Sequence, residues 1–234
     1  MQANTTIISE IYTQLPQYGN ADFAQSQQKY LKCSEPLLGL RVPEQRNLIR
    51  RIVQTHAPAG LSLAELLATA RKLWDGATHR EYRRSALMLL LLPKHAKLLD
   101  ATAMPTIEHF IRTAAWWDLV DECVHTHNYI RQNSHKEFER MIQWAQDPDI
   151  WIRRYAILCQ LQAKENTDTD LLSGVIVPNL QETEFFIAKA IGWALRDYAR
   201  TNPQWVRAFL AQHPEIQPLS RREATKHLNA TTEE

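Results

Sequence analysis

At 234 residues, with 44% apolar and 23% charged side chains, the chain is long enough to bury a substantial core and has the composition of a globular protein. Only 6 glycines disfavour a turn-rich β fold, and a formal net charge of +1 excludes nucleic-acid binding by bulk basicity, so any such role requires basic residues gathered on one face. The three widely separated cysteines, Cys33, Cys123 and Cys159, argue for buried thiols in a reducing compartment over a disulfide framework.

The N-terminal MQANTTIISEIYTQL lacks a basic region followed by a long apolar core, so no signal peptide is expected and the protein is placed in the cytoplasm. Leu48, Ile49, Ile52 and Val53 recur at helical spacing behind Pro43 and Glu44, residue types that open helices. Ser62 caps the next pattern, Leu63, Leu66, Leu67 and Leu73, and Thr78, three before Glu81, predicts another start. The longest apolar run, SALMLLLLP, stops at Pro93, far short of the roughly 20 residues a membrane span requires. No membrane association is expected.

Further along come AAWWDLVDECVHTH, then Phe138, Ile142 and Ala145 at helical spacing, then IWIRR behind Asp149. Thr183 predicts the start of a helix carrying Phe186, Ala190, Trp193 and Ala194, and Asn202-Pro203 predicts the next. No stretch alternates as a strand does. The pattern is roughly a dozen helices joined by short loops.

A longer period lies above the helical one. RRSA, RRYA and RREA each hold a basic pair, a spacer and an alanine near a helix start; Arg84, Arg154 and Arg222 are 70 and 68 residues apart, and Lys189 lies 35 beyond Arg154. The missing unit falls inside WWDLVDE. Two helices per period of about 35 residues indicate stacked hairpins. The tryptophan-leucine-glycine-tyrosine signature of tetratricopeptide repeats is absent, which favours HEAT-like repeats. The expected fold is therefore an all-α, right-handed solenoid of HEAT-like helical hairpins, a single domain over residues 1–234 with a concave groove. Stacking places Arg84, Trp117 with Asp121, Arg154, Lys189 and Arg222 in one row. A solvated surface presents the same pattern, since cations are disfavoured at helix N-termini.

Residues four apart share a helix face, so Trp117 and Asp121 project together, with His125 one turn further, while Trp116 is expected to point into the core. Asp118 suits the helix N-terminus. Arg154 and Trp193 belong to the following repeats. Two indoles, a carboxylate and a guanidinium suit a cationic, sugar-bearing ligand that also carries phosphate. Asp197 repeats the Trp-x-x-x-Asp spacing after Trp193 and is a rival acid, although Arg196 and Arg200 place it in a surface ion-pair network. His125 and His127 lack paired metal ligands, and neither a Gly-rich phosphate loop nor a nucleophile elbow is present, so no metal site is expected. Trp74, Trp144, Trp151 and Trp205 fit inter-helix packing.

WWDLVDE, DIWIRRYAILCQL, EFFIAKAIGWALRDYARTNP and LSRREATKHL, together with QKYLKCSEPLLGL, resemble the AlkD-like alkylpurine DNA glycosylases, which are HEAT-like repeat proteins, in order and spacing from Gln28 to His227. The resemblance implies a repair enzyme that hydrolyses the N-glycosidic bond of cationic N3- and N7-alkylpurines in duplex DNA without flipping the base and without a cofactor. It implies Asp121 as catalytic carboxylate, Trp117 and Trp193 beside the lesion deoxyribose, and Arg154 and Tyr30 in the cleft. Arg84, Arg153, Lys189, Arg221, Arg222 and Lys226 hold phosphates in this reading. Double-stranded DNA with alkylated bases is the implied partner, the protein a nucleoid-associated monomer.

Arg41 departs from the family pattern, which places glutamine after LGI where this chain has LGLRVPEQR. An arginine in the cleft repels a cationic base or pairs with Asp121, which keeps open a second function: a non-catalytic HEAT-like module gripping DNA or a protein partner.

Overall fold

The structure, a computed structural model, describes residues 2–131 and 137–228 and is helical, with no strand among these residues. It divides into two compact units, Met1–Phe110 and Ile111–Glu234. Among the described residues no helix is long and apolar enough to cross a membrane.

The first unit holds α1 (Thr5–Gln14), α2 (Ala21–Leu31), α3 (Val42–His56), α4 (Leu63–Asp75), α5 (Arg80–Leu90), the short α6 (Pro93–Ala96) and the start of α7 (Met104–Ala114). Helices α4 and α5 pack as a hairpin, with α1 and α3 against them. The apolar run SALMLLLLP explains itself here: Ser85 to Leu90 are all buried, because α5 is covered on every side. Ser62 caps α4 by accepting from the Glu65 N–H, as predicted, whereas His79, not Thr78, occupies the N-cap position of α5. Glu81 is turned away from capping. Its carboxylate accepts the backbone N–H groups of Leu38 (2.9 Å), Gly39 (2.8 Å) and Leu40 (3.3 Å), fixing the loop that leads into Arg41. Gly39 has φ 82°, and a Cβ there would stand 2.0 Å from the Asn20 carbonyl oxygen, so glycine is required.

The second unit holds α8 (Trp117–Ile130), α9 (Glu137–Trp144), α10 (Ile150–Leu158), α11 (Thr169–Ile176), α12 (Phe185–Ala199), α13 (Pro203–Gln212) and α14 (Pro218–Ala224). Two layers form: α8, α10, α12 and α14 pack in sequence, and α9 and α11 pack on each other behind α10, with α13 on α12. This is a helical-repeat fold. Asp149 and Asn202 cap α10 and α13 through their side chains, while Glu184, not Thr183, caps α12.

Polar side chains tie equivalent points of successive repeats. Asn128 donates to Leu161 O, Asn179 to Ala145 O, Ser220 to Ala188 O and Arg112 to Asp147, each bond spanning between 32 and 35 residues. The first three satisfy backbone carbonyls that the hairpin geometry leaves open, the fourth pairs an arginine with a carboxylate, and all hold the register between repeats. Helices α12 and α14 come closest at Gly192, where an added Cβ would lie 2.5 Å from Glu223 Cβ and 2.9 Å from Ser220 O. Gly192→Ala is expected to cost roughly 1–3 kcal/mol in chemical denaturation by forcing the helices apart; an unchanged midpoint would refute the close fit.

The interior of this unit also encloses His127, fully buried, whose Nδ1–H donates to Cys159 O at 3.0 Å. Burial disfavours its charged form and lowers its pKa from the ordinary 6.5 to about 4. The neutral ring is thus favoured by folding. Stability is complete above pH 6.5 and declines as pH falls toward 4, by roughly 3 kcal/mol in all. His127→Gln is expected to flatten that part of the stability profile measured by urea unfolding between pH 4 and 7.

Candidate active site

The repeat register is read most directly from helix positions. Arg84, Asp121, Arg154, Lys189 and Arg222 are each the fifth residue of their helices, α5, α8, α10, α12 and α14. Asp121 therefore stands where every other repeat places a cation. In the second unit α8 packs on α10, and the substitution of acid for base brings opposite charges together across that contact.

Arg154 grips Asp121 with two hydrogen bonds, Nε to Oδ1 at 2.7 Å and Nη2 to Oδ2 at 2.8 Å, and donates through Nη1 to the Phe186 carbonyl at 2.6 Å. The fork spans three helices, α8, α10 and the first turn of α12. Only 6% of the arginine side chain and 15% of the aspartate side chain remain exposed. Burial raises the Asp121 carboxyl above its ordinary range, the Arg154 hydrogen bonds and charge pull it back, Asp118 raises it and His125 lowers it. Two lone-pair sites of the carboxylate are taken by Arg154.

Aromatic side chains wall one side of this pair. Trp116 packs on Phe186 at 5.5 Å and on Trp151 at 5.9 Å, and Trp151 on Phe186 at 5.0 Å; the Arg154 guanidinium lies 6.0 Å from the Phe186 ring centre. Trp116, expected to point into the core, is half-buried and lies outside the helix. It is the extended N-cap of α8, and Ala115 before it adopts φ 42°, a left-handed conformation that costs a residue with a Cβ about 1 kcal/mol. This turn sends the two indoles apart: Trp116 joins the aromatic wall, and Trp117 opens α8, half-buried, one turn before Asp121.

The chain matches the model of a family described as DNA alkylation repair enzyme, over residues 11–228. This chain belongs to that family. It is similar in structure to a protein from Enterococcus faecalis described as a predicted DNA alkylation repair enzyme, with 29% identity, 90% of this chain and 96% of that chain covered, and a TM-score of 0.78. No curated protein matches it.

The remaining residues expected in a DNA alkylation repair enzyme fall into distinct environments. Trp193 is half-buried on α12, on a stripe with Lys189, Arg196 and Arg200. Lys189 and Lys226 both meet Glu223, at 3.0 and 2.8 Å, and Arg222 is exposed beside them. Arg153 pairs with Glu182 at 3.0 Å, and Arg221 donates to the Leu210 and His213 carbonyls, closing the end of α13. Asp197 accepts the Gln162 N–H at 2.7 Å, and Arg196 pairs with Glu223 instead of with it, so the rival acid is engaged in holding a turn.

In the first unit Tyr30 is 74% exposed, and Arg41 is exposed with its guanidinium 4.8 Å from the centre of the Phe23 ring. Arg84 departs from the expected phosphate contact in being buried, 5% exposed. Arg154 departs too, because its fork engages the carboxylate and a carbonyl in place of a phosphate. Sequence reasoning missed Phe186 and Glu223 as well, although both stand inside recognisable motifs, EFF and RREA; only the stacking of α12 on α10 and α14 shows what they touch.

Arg154→Gln is expected to strand a largely buried carboxylate, costing roughly 3 kcal/mol of stability and raising the Asp121 pKa further. A carbon-13 NMR titration of the aspartate carboxyls, with Asp121 unmoved in the variant, would refute the coupling.

Proposed function

We propose that the protein is an alkylpurine DNA glycosylase that hydrolyses the N-glycosidic bond of cationic N3- and N7-alkylated purines in duplex DNA, with the base remaining in the stack. The observation that carries this reading is Asp121: a carboxylate at a register position otherwise basic, fixed by a bidentate arginine and one turn from an indole.

An alkylated purine already bears positive charge, so it leaves as a neutral base without a protonating acid. As the C1′–N bond lengthens, positive charge moves onto the sugar, and the site needs a fixed negative charge more than it needs a proton donor. Asp121 supplies that charge. Arg154 acts on Asp121 and is a positioning residue: its two hydrogen bonds set the carboxylate plane and leave the outer lone pairs toward the sugar. Water attacking C1′ then adds to the oxocarbenium ion, and Asp121 accepts its proton. The indoles of Trp117 and Trp193 add cation–π attraction that grows as the charge develops, so they favour the transition state over the bound substrate. Lys189, Arg222 and Lys226, accessible cations of the second unit, contact phosphates, and Tyr30 and Arg41 are exposed on the first unit for the same purpose.

The Asp121–Arg154 pair is also what an inter-repeat salt bridge in a non-catalytic DNA-binding module looks like. The two readings separate on one measurement, release of free 3-methyladenine and 7-methylguanine from methylated duplex DNA at equal occupancy. Asp121→Asn is expected to lower release about 100- to 1,000-fold while DNA binding changes little. Equal release by the variant sinks the catalytic role, and no release by a DNA-bound wild type moves the protein to the binding class.

A further inference from the structure

Glu223 on α14 is the meeting point of three cations: Lys226 Nζ at 2.8 Å from both carboxylate oxygens, Lys189 Nζ at 3.0 Å and Arg196 Nη1 at 2.7 Å. One carboxylate against three cations leaves the cluster with a net positive charge. The geometry is layered. The Glu223 side chain is 7% exposed, Arg196 26%, Lys189 36% and Lys226 48%, so the carboxylate lies beneath and the ammonium groups lie toward solvent.

Glu223 is also fixed in place. Its Cβ occupies the space that a side chain at position 192 would need, and α12 and α14 are closest there. The lysines are not fixed, since each carries its charge on a flexible four-carbon stem. An anion arriving from solvent therefore meets Lys189 and Lys226 before it meets Glu223. The cation ring matches what a tetrahedral phosphate accepts, several N–H donors converging on one group of oxygens. Trp193 stands between Lys189 and Arg196 on the same stripe of α12.

We propose that Glu223 is a built-in stand-in for a DNA phosphate: in the free protein it holds Lys189, Arg196 and Lys226 together, and on binding a backbone phosphodiester takes Lys189 and Lys226 from it while Arg196 stays. This inference rests on the DNA-repair reading of the protein. The cations hold the Glu223 carboxyl down at about 2, with the Lys226 hydrogen bond as the largest cause, so it competes as a full negative charge at every pH at which the enzyme meets DNA. The consequence is a weakened grip on undamaged duplex, because each nonspecific encounter must displace an internal ion pair.

The test is duplex binding by wild type and Glu223→Gln, measured by fluorescence anisotropy on an undamaged 20-mer across a salt series. The variant is expected to bind about tenfold more tightly, with a salt slope steeper by roughly one to two units, about 0.9 for each further phosphate neutralised. Lys226→Ala is expected to weaken binding more in the Glu223→Gln background than in wild type, a coupling that a purely structural carboxylate does not produce. Should Glu223→Gln fail to fold, Glu223→Asp, which draws the carboxylate back by one methylene, is expected to tighten binding about threefold. Equal affinity and equal slope in a folded variant overturn the proposal while leaving the DNA reading intact. Absence of duplex binding by both proteins overturns that reading and the proposal with it. Inorganic phosphate replacing chloride at equal ionic strength is expected to leave both affinities within about twofold; selective loss in the variant would make this a site for free phosphate and overturn the assignment to the duplex.

Discussion

Burying a carboxylate is the constraint around which the second unit is arranged. Asp121 lies in a position that its repeat partners fill with cations, and it is tolerated there because Arg154 of the next repeat supplies charge and geometry together. Removing either partner leaves a desolvated charge, so the pair holds α8 to α10 as firmly as it defines the site. The third arm of the same guanidinium caps no helix end. It reaches the Phe186 carbonyl in the first turn of α12, on a residue already committed to the aromatic wall. Stability of the repeat stack and placement of the Asp121 carboxylate are thus one set of contacts.

A second charge arrangement repeats that logic one layer on. At α8 and α10 one cation serves one anion; at α12 and α14 three cations serve one. The difference in exposure decides what each can do. The first pair is enclosed and acts through the position of its oxygens. The second is open on its cationic side and retains attraction for an outside anion, screened by salt because Lys189 and Lys226 reach water. A protein with almost no net charge thus still carries strong local charge asymmetry.

Much of this was legible in the chain itself, and the reasons are local. Helix type follows from apolar spacing, and most starts follow from capping residues: Ser62, Asp149 and Asn202 accept the N–H groups their positions require. Thr183 failed as a cap because Glu184, one residue later, accepts from the Ile187 N–H. Thr78 failed because α5 begins after His79 with no side-chain cap, its first N–H donating to the Pro36 carbonyl instead. The repeat was readable from RRSA, RRYA and RREA, and it located Asp121 to within about two residues of its register position. Trp117 and Asp121 were readable as one face because about four residues make one turn. Trp116 was not, because its orientation comes from the left-handed backbone at Ala115, and no propensity assigns that conformation to alanine.

What the sequence by itself determined is the all-helical class, the period of about 35 residues and the family, since all of these reside in local spacing or in motifs. Only the tertiary structure decided how the charges are matched. Arg84 became an enclosed side chain, Arg154 a partner for the carboxylate, and Lys189 a companion of Glu223. The physical reason is that a charged side chain has no fixed role along a chain: its partner is whichever opposite charge the stacking of helices brings within about 3 Å, and that pairing crosses repeats that are roughly 30 residues apart.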